Sequence, residues 1–485
     1  MADNNMAQAA APAHVVVIGG GITGLAAAFF LRDQPVRVTV LEGSSRLGGQ
    51  LSTAQLAGVT IDEGAESMYA RRPKTARLLQ AAGLTDQVVA AATKSMAIYT
   101  RGQIRPQPDR QFMGVPCDLD ELAKSGIVSD AAVARARQDL TLAPTERHHD
   151  VSVADYVAGR LGREVVDRLV EPFLADAYFG RADELSFEAT LTPLATAARR
   201  HTSLTAAAAA LLPPPPPPGE QPTTGISTLA RGLGSLPQTL ADHLLAASPH
   251  SRIRTHTPVH ALTRRTHGWR ITTGTPAHPE HLDADAVILA VPADQTRRLL
   301  TPLPATTAAT TALADIPHAG SLIITLAYPR NTLAPLRPLG HSGYRIPTID
   351  GHALKIVTFS TIKWPHLTDD IDIIRCQAAG SGHEDLLHHD DTDLVTLATT
   401  EITQATHTTN RPLATHITRW PATIPQYTTG HHDRVTRIRT TLHNQPHLAV
   451  CGAAYDGIGI GQCITSALKA TEHILTQLPT PTPQT

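Results

Sequence analysis

A chain of 485 residues is too long for one ordinary core and points to two or three domains, large enough to hold together without disulfide staples. Its formal charge of −2, with no long basic run, gives no electrostatic footprint for nucleic acid, and aromatic residues at only 4% leave the core to Ala, Val, Leu and Ile. The four cysteines form no CxxC pair, the first thirteen residues lack the pattern of a signal peptide, and no apolar run approaches the ~20 residues of a membrane helix, so a cytoplasmic protein without membrane contact is expected.

Residues 1–12 read as a disordered tail. A strand follows at His14–Ile18, then a helix opening at Gly24 and a second strand at Arg37–Leu41. From about 72 to 205 the pattern is mostly helical. Ser152 is a candidate N-cap, and Val153, Val157, Leu161, Val165 and Leu169 recur at every fourth position until Pro172, which is expected to end the helix. Six prolines, Pro213–Pro218, should form an extended spacer. Further strands are expected at Ala286–Val291, Leu322–Ala327 and Ile356–Phe359, and the tail 479–485 reads as disordered.

The segment His14–Leu31 carries the strongest signal. Gly19, Gly21 and Gly24 fall at the positions of a G-x-G-x-x-G turn, with Gly20, Ile22 and Thr23 between them. The first glycine permits the turn, the second lets backbone approach a pyrophosphate, and the third lets helix pack on strand. Free amides at the helix start then face the phosphates. Glu42 closes the next strand about twenty residues on, where a dinucleotide fold needs an acceptor for a ribose hydroxyl. Gly43, Arg46, Gly48 and Gly49 come directly after this acid and suit additional contacts to the phosphates of a tightly held cofactor.

This run and Ile61–Ser67 resemble the FAD-dependent amine oxidases, phytoene desaturases and protoporphyrinogen oxidases. Five more segments, Glu66–Pro73, Glu171–Ser186, Leu354–Pro365, Arg419–His431 and Val450–Ala470, resemble one branch, the bacterial protoporphyrinogen/coproporphyrinogen oxidases. The resemblance implies an α/β fold, α+β overall, with a Rossmann-type FAD-binding domain assembled from 13–70, 225–300 and 410–478. A substrate domain, a mixed sheet plus a helical part, would come from 71–212 and 301–409. It also implies FAD contacts from Gly64, Ala65, Glu66 and Ser67, from Val259 in a returning strand, from Trp420, and from Ile458, Gly459 and Ile460.

The implied chemistry is the oxidation of a porphyrinogen, coproporphyrinogen III in preference to protoporphyrinogen, with oxygen as acceptor and release of peroxide. FAD carries such chemistry, which fits the lack of a convincing nucleophile or acid–base dyad. Arg71, Arg72 and Lys363 are candidate cations for the propionates of such a substrate. Three positions depart from the family: Ala175–Asp176 stands where paired glycines are usual, Arg231 where a Gly-Gly-Leu run is usual, and Ser381 where an arginine is usual. These changes favour a reshaped cavity, so a paralogue acting on a different amine or reduced heterocycle remains an alternative, as does a flavin-binding protein without turnover. The 25 histidines include no ligand spacing that builds a metal site, and His383–His388 misses the HExxH spacing by one residue.

Overall fold

The computed structural model describes residues 12–93, 95–145, 149–213, 225–368, 370–380 and 382–479. The expected N-terminal tail up to residue 11, the prolines after Pro213, Ser381 and the tail from residue 480 lie outside the described residues. The chain divides into two compact units. The first comprises the described parts of Met1–Leu51, Ser235–Ala314 and Arg437–Thr485, and the second comprises those of Ser52–Gly234 and Asp315–Thr436. These boundaries differ from those expected: residues 52–70, 225–234 and 410–436 fall in the second unit, and 301–314 in the first.

The first unit is built on a five-stranded parallel sheet in the order Arg252–Arg254, Val36–Leu41, Ala13–Ile18, Ala286–Leu289, Leu448–Val450. Its central strands are near-continuous runs of Val, Ile, Leu and Ala because both faces of a parallel sheet are covered. Helix Ile22–Leu31 crosses between the first two strands, buried along almost its whole length. It packs against helices Ser235–Ala247 and Ile460–Gln477, so an all-round apolar sequence is stable there. A three-stranded antiparallel meander, Ala261–Arg264, Trp269–Gly274 and Pro279–Ala284, is inserted ahead of the fourth parallel strand.

The second unit is centred on a seven-stranded mixed sheet in the order Ala414–Pro425, His318–Pro329, Ile371–Ala378, Leu354–Phe359, Gly343–Arg345, Ala97–Thr100, Gln103–Pro106. Every pairing is antiparallel except that of Gly343–Arg345 with Ala97–Thr100. Leu322, Ile324, Leu326, Val357, Phe359 and Ile374 anchor its core.

The mostly helical stretch needs one addition and one correction. Between 72 and 205 the chain also forms the strands Val88–Ala90, Ala97–Thr100, Gln103–Pro106, Gln111–Phe112 and Val115–Pro116. The β-branched and aromatic residues on either side of Arg101 and Gly102, both at positive φ, make a hairpin of the second and third. The helix capped by Ser152, whose Oγ accepts from the Asp155 amide at 3.0 Å, ends at Leu161 and not at Pro172. Gly162 takes φ 93° and breaks it; a short helical turn and the π-helical turn Val166–Val170 follow. Pro172 then sits in the first turn of helix Glu171–Tyr178, where a missing N–H removes no bond.

Candidate functional site

In the first unit the helix Ile22–Leu31 starts at Gly21 with no side-chain cap and no acid in its first turn, so backbone amides are left to an outside anion. A Cβ on Gly24 would collide with the Gly19 carbonyl, the close helix–strand approach expected of the third glycine. A Cβ on Gly21, by contrast, would point into open space with nothing within 4 Å. That opening lies against bare backbone, and a pyrophosphate fits there. Ile22 is half-buried and Thr23 buried beside it.

Glu42 reaches back to this turn: its carboxylate accepts from the Gly20 amide at 2.7 Å and from the Ser44 amide at 2.8 Å. Each oxygen keeps a second acceptor site for a ribose hydroxyl. The Gly48 amide donates to the Gly20 carbonyl at 2.8 Å, and Gly21 and Gly48 form a parallel bridge. Gly48 holds φ 104°, and a Cβ there would collide with the Leu51 carbonyl. Arg46 donates to the Leu47 and Gly49 carbonyls at 3.3 and 2.8 Å and remains solvent-facing.

Two later stretches of the chain return to the same place. The amides of His256 and Thr257 donate to the carbonyls of Ser44 and Glu42, each at 2.8 Å, and Pro258 lies 3.6 Å from the Cβ position of Gly43. Val259 follows in this irregular connection, not in a returning strand as expected; the next strand begins only at Ala261. The amides of His256 and Thr257, just before it, are committed to the Glu42 loop before the meander can start. The third stretch, Ile458, Gly459 and Ile460, opens helix Ile460–Gln477, again with no side-chain cap and no acid in its first turn. Thr23 hydrogen-bonds the Cys463 thiol. Asp456, held by Ser466 and Arg439 at 2.5 Å and by Lys469 at 3.0 Å, fixes the approach to that glycine loop.

In the second unit the loop holding Gly64, Ala65, Glu66 and Ser67 is clamped from several sides. Arg375 donates to the Asp62 carbonyl at 2.6 Å and also to the Gly64 carbonyl. The Trp420 indole donates to the Glu63 carbonyl at 2.9 Å, and the Glu63 side chain takes Ser52 at 2.5 Å and His416 at 2.8 Å. Glu66 pairs with Lys363 at 2.5 Å and lies 3.7 Å from Arg375. Burial works to raise the Glu66 carboxyl, but these two cations outweigh it and hold the group below its ordinary range. Asp62 differs: burial dominates over the opposing charge of Arg375 and pushes it up to about 7. Both acids line an open pocket with Arg375, Ser360, Trp364 and Gly232.

The candidate substrate residues do not form one group. Lys363 is committed to Glu66, so it balances a neighbouring carboxylate and is not a free cation for a propionate. Arg71 and Arg72 are both exposed, and Arg72 lies 4.9 Å over the Tyr69 ring. Arg231 is exposed. Asp176 accepts from Nε and Nη2 of Arg345 at 2.9 and 2.8 Å, and the same guanidinium lies 4.1 Å over the Phe173 ring.

The family model described as flavin-containing amine oxidoreductase matches residues 22–475. A coproporphyrinogen III oxidase of Mycobacterium bovis (strain ATCC BAA-935 / AF2122/97) is 32% identical, over 96% of this chain and 98% of that protein. One of Bacillus subtilis (strain 168) is 28% identical over 96% and 98%. The chain belongs to the flavin-containing amine oxidoreductase family. A solved structure from Exiguobacterium sp. 255-15, assigned to the protoporphyrinogen oxidases, is similar with a TM-score of 0.82 and 28% identity, covering 96% of this chain and 99% of that one. Cyclohexylamine oxidase from Brevibacterium oxydans IH-35A shares the fold alone, at a TM-score of 0.69 and 16% identity over 96% and 99%.

Membership of this family makes the protein an FAD-dependent oxidoreductase of α/β fold. The turn at Gly19–Gly24 fits FAD on its own geometry: uncapped amides, open space beside Gly21, and an anchored Glu42. Three residues that matter around the second-unit loops escaped the sequence reading. Arg375 and Lys355 are buried cations in strands whose other residues are mostly apolar, and Asp62 is an acid at the end of the strand Val59–Asp62. A charge inside a buried, mostly apolar run is the signal that marks the first two, alone in its strand for Lys355 and alongside Asp372 for Arg375.

Proposed function

We propose that the chain is a coproporphyrinogen III oxidase acting in heme biosynthesis. The observation that supports this most is end-to-end similarity to proteins of that name, combined with the glycine and glutamate geometry that fits FAD. FAD, when bound, accepts two electrons at a time. Conversion of the porphyrinogen to coproporphyrin III removes six electrons and six protons, and three oxygen molecules taking them up leave three of hydrogen peroxide. The residues of this chain bind and orient. The uncapped amides at the helix starts by Gly21 and Gly459 would hold anionic groups of the cofactor, and Glu42 would accept from its ribose. Among the described residues no helix is long and apolar enough to cross a membrane, which accords with a cytoplasmic enzyme acting on the more polar tetracarboxylate substrate.

The Asp176–Arg345 pair favours a second reading, a relative whose cavity accepts a different reduced heterocycle or amine. Aerobic assay with coproporphyrinogen III and protoporphyrinogen IX side by side decides between them. Formation of coproporphyrin with about three peroxides per porphyrin supports the first. Flavin that neither substrate reduces excludes it.

A further inference from the structure

A second open pocket is built wholly from the second unit and lined by Glu171, Phe179, Thr348, Lys355, His383 and the exposed Arg181 among others. Lys355 lies on the strand Leu354–Phe359, whose six residues are all buried, and is itself 5% exposed. The register of this strand against Ile371–Ala378 slips between Leu354 and Ile356, so Lys355 occupies a β-bulge. Bulges re-aim a side chain out of the regular alternation, and here the side chain so placed is a lysine on a cavity wall.

The ammonium of Lys355 has little to hold it. Its hydrogen bond is a long one, 3.4 Å to the His352 carbonyl, and among the described residues no carboxylate lies within ion-pair distance. A cation removed from water without a partner is unfavourable, and burial lowers its proton affinity accordingly. Two carboxylates, Glu171 and Glu401, act on it from beyond ion-pair distance and favour its charged form, but less than burial opposes it. Glu401 is already taken by the amides of Ala353 and Leu354, at 2.9 and 3.0 Å. Glu171 accepts from the Ala182 amide at 2.6 Å, and burial raises its carboxyl toward the neutral form. The wall also carries two non-glycine residues in left-handed backbone, Phe179 at φ 52° and Ala379 at φ 64°. Such strain persists where the surrounding structure enforces it and gathers at ligand sites.

We propose that this cavity is a carboxylate-binding site in which Lys355 pairs with one acidic arm of the substrate. The assignment of that arm to a porphyrinogen propionate rests on the function proposed above; the carboxylate chemistry does not. It replaces Lys363, Arg71 and Arg72 as the cation for this role.

The test uses the full-length flavoprotein. Coproporphyrin III is titrated by fluorescence, and turnover of coproporphyrinogen III is followed in parallel. Lys355→Gln is expected to weaken porphyrin binding about tenfold or more and to raise KM similarly, with kcat within about threefold of wild type. Lys355→Arg keeps the charge and should stay within about threefold in both. An independent probe is glutarate, which should raise the thermal midpoint of wild type and not of Lys355→Gln. Should the glutamine variant not fold, Lys355→Met serves in its place.

Unchanged porphyrin affinity and KM in the neutral variant overturn the site while leaving the oxidase function standing. A wild type that does not oxidise coproporphyrinogen III, yet shows Lys355-dependent stabilisation by glutarate, overturns the function and keeps the carboxylate site. A glutarate shift that persists without the lysine overturns the site, as does loss of porphyrin affinity that tracks loss of bound flavin.

Discussion

The Gly48 amide donates to the Gly20 carbonyl at 2.8 Å, which joins the glycine turn after the first strand to the glycine pair after Glu42. Neither segment forms the cradle alone. The bridge between Gly21 and Gly48 leaves the Cβ direction of Gly21 open, whereas that of Gly24 is closed by the Gly19 carbonyl.

These two glycines should therefore fail in different ways. Gly21→Val is expected to fold with a thermal midpoint near that of the apo wild type but to purify without the yellow flavin absorbance. Gly24→Ala should lose stability itself, by about 1–3 kcal/mol, because its methyl meets backbone that cannot give way. Denaturant titration of the apo proteins, alongside the flavin content of each as purified, separates the outcomes. A Gly21→Val protein that retains full flavin would contradict the placement of the phosphates.

Lys363 and Glu66 form a largely buried pair, with side chains 12% and 13% exposed. Lys363→Met should cost about 3–5 kcal/mol, since it strands the carboxylate, though Arg375 at 3.7 Å softens the loss. The double variant Lys363→Met/Glu66→Gln should recover most of it. Chemical denaturation of the four proteins as a cycle tests this; additive losses would show that the pair is not coupled.

Asp62 carries a proton in the folded chain up to about pH 7, against an ordinary value of 3.8, because burial outweighs the pull of Arg375. Raised above the unfolded value, the folded-state group favours the native state fully below about pH 4. That contribution is lost as pH rises through about 7. Asp62→Asn should flatten the fall in thermal midpoint between pH 4 and 7. An unchanged profile would mean that Asp62 titrates normally.

Asp176 is the counter-charge of Arg345, a guanidinium with only 10% of its side chain exposed. Asp176→Gly should therefore destabilise by about 3–5 kcal/mol. Adding Arg345→Met should restore stability and leave a less polar pocket wall. Midpoints in urea measure both, and a stable single variant would show that Arg345 finds another partner.

Much of the first unit was legible because its geometry constrains single residues: only glycine fits beside the Gly19 carbonyl, and the Gly20 amide needs an acceptor such as the Glu42 carboxylate. The strand at Ala13–Ile18 showed itself by unbroken Val and Ile, which a parallel sheet covered on both faces demands. Partnerships between distant residues were not legible. Nothing local to Lys363 says that Glu66 will neutralise it, and nothing in Val259 says that His256 and Thr257 are already tied to the Glu42 loop. Pro172 misled for a subtler reason: proline ends one helix and begins another with equal ease, and Gly162 had already made the break.

The parallel sheet of the first unit has one further consequence, for synthesis. Strand Ala286–Leu289 takes Leu448–Val450 as its neighbour, so on the ribosome its outer edge waits for more than a hundred residues of the second unit to be made. Until then a run of Ala, Val, Ile and Leu presents unsatisfied amides and carbonyls to whatever is nearby. The nascent chain is thus most prone to aggregate late in translation, and a product truncated before Leu448 would leave that edge open for good.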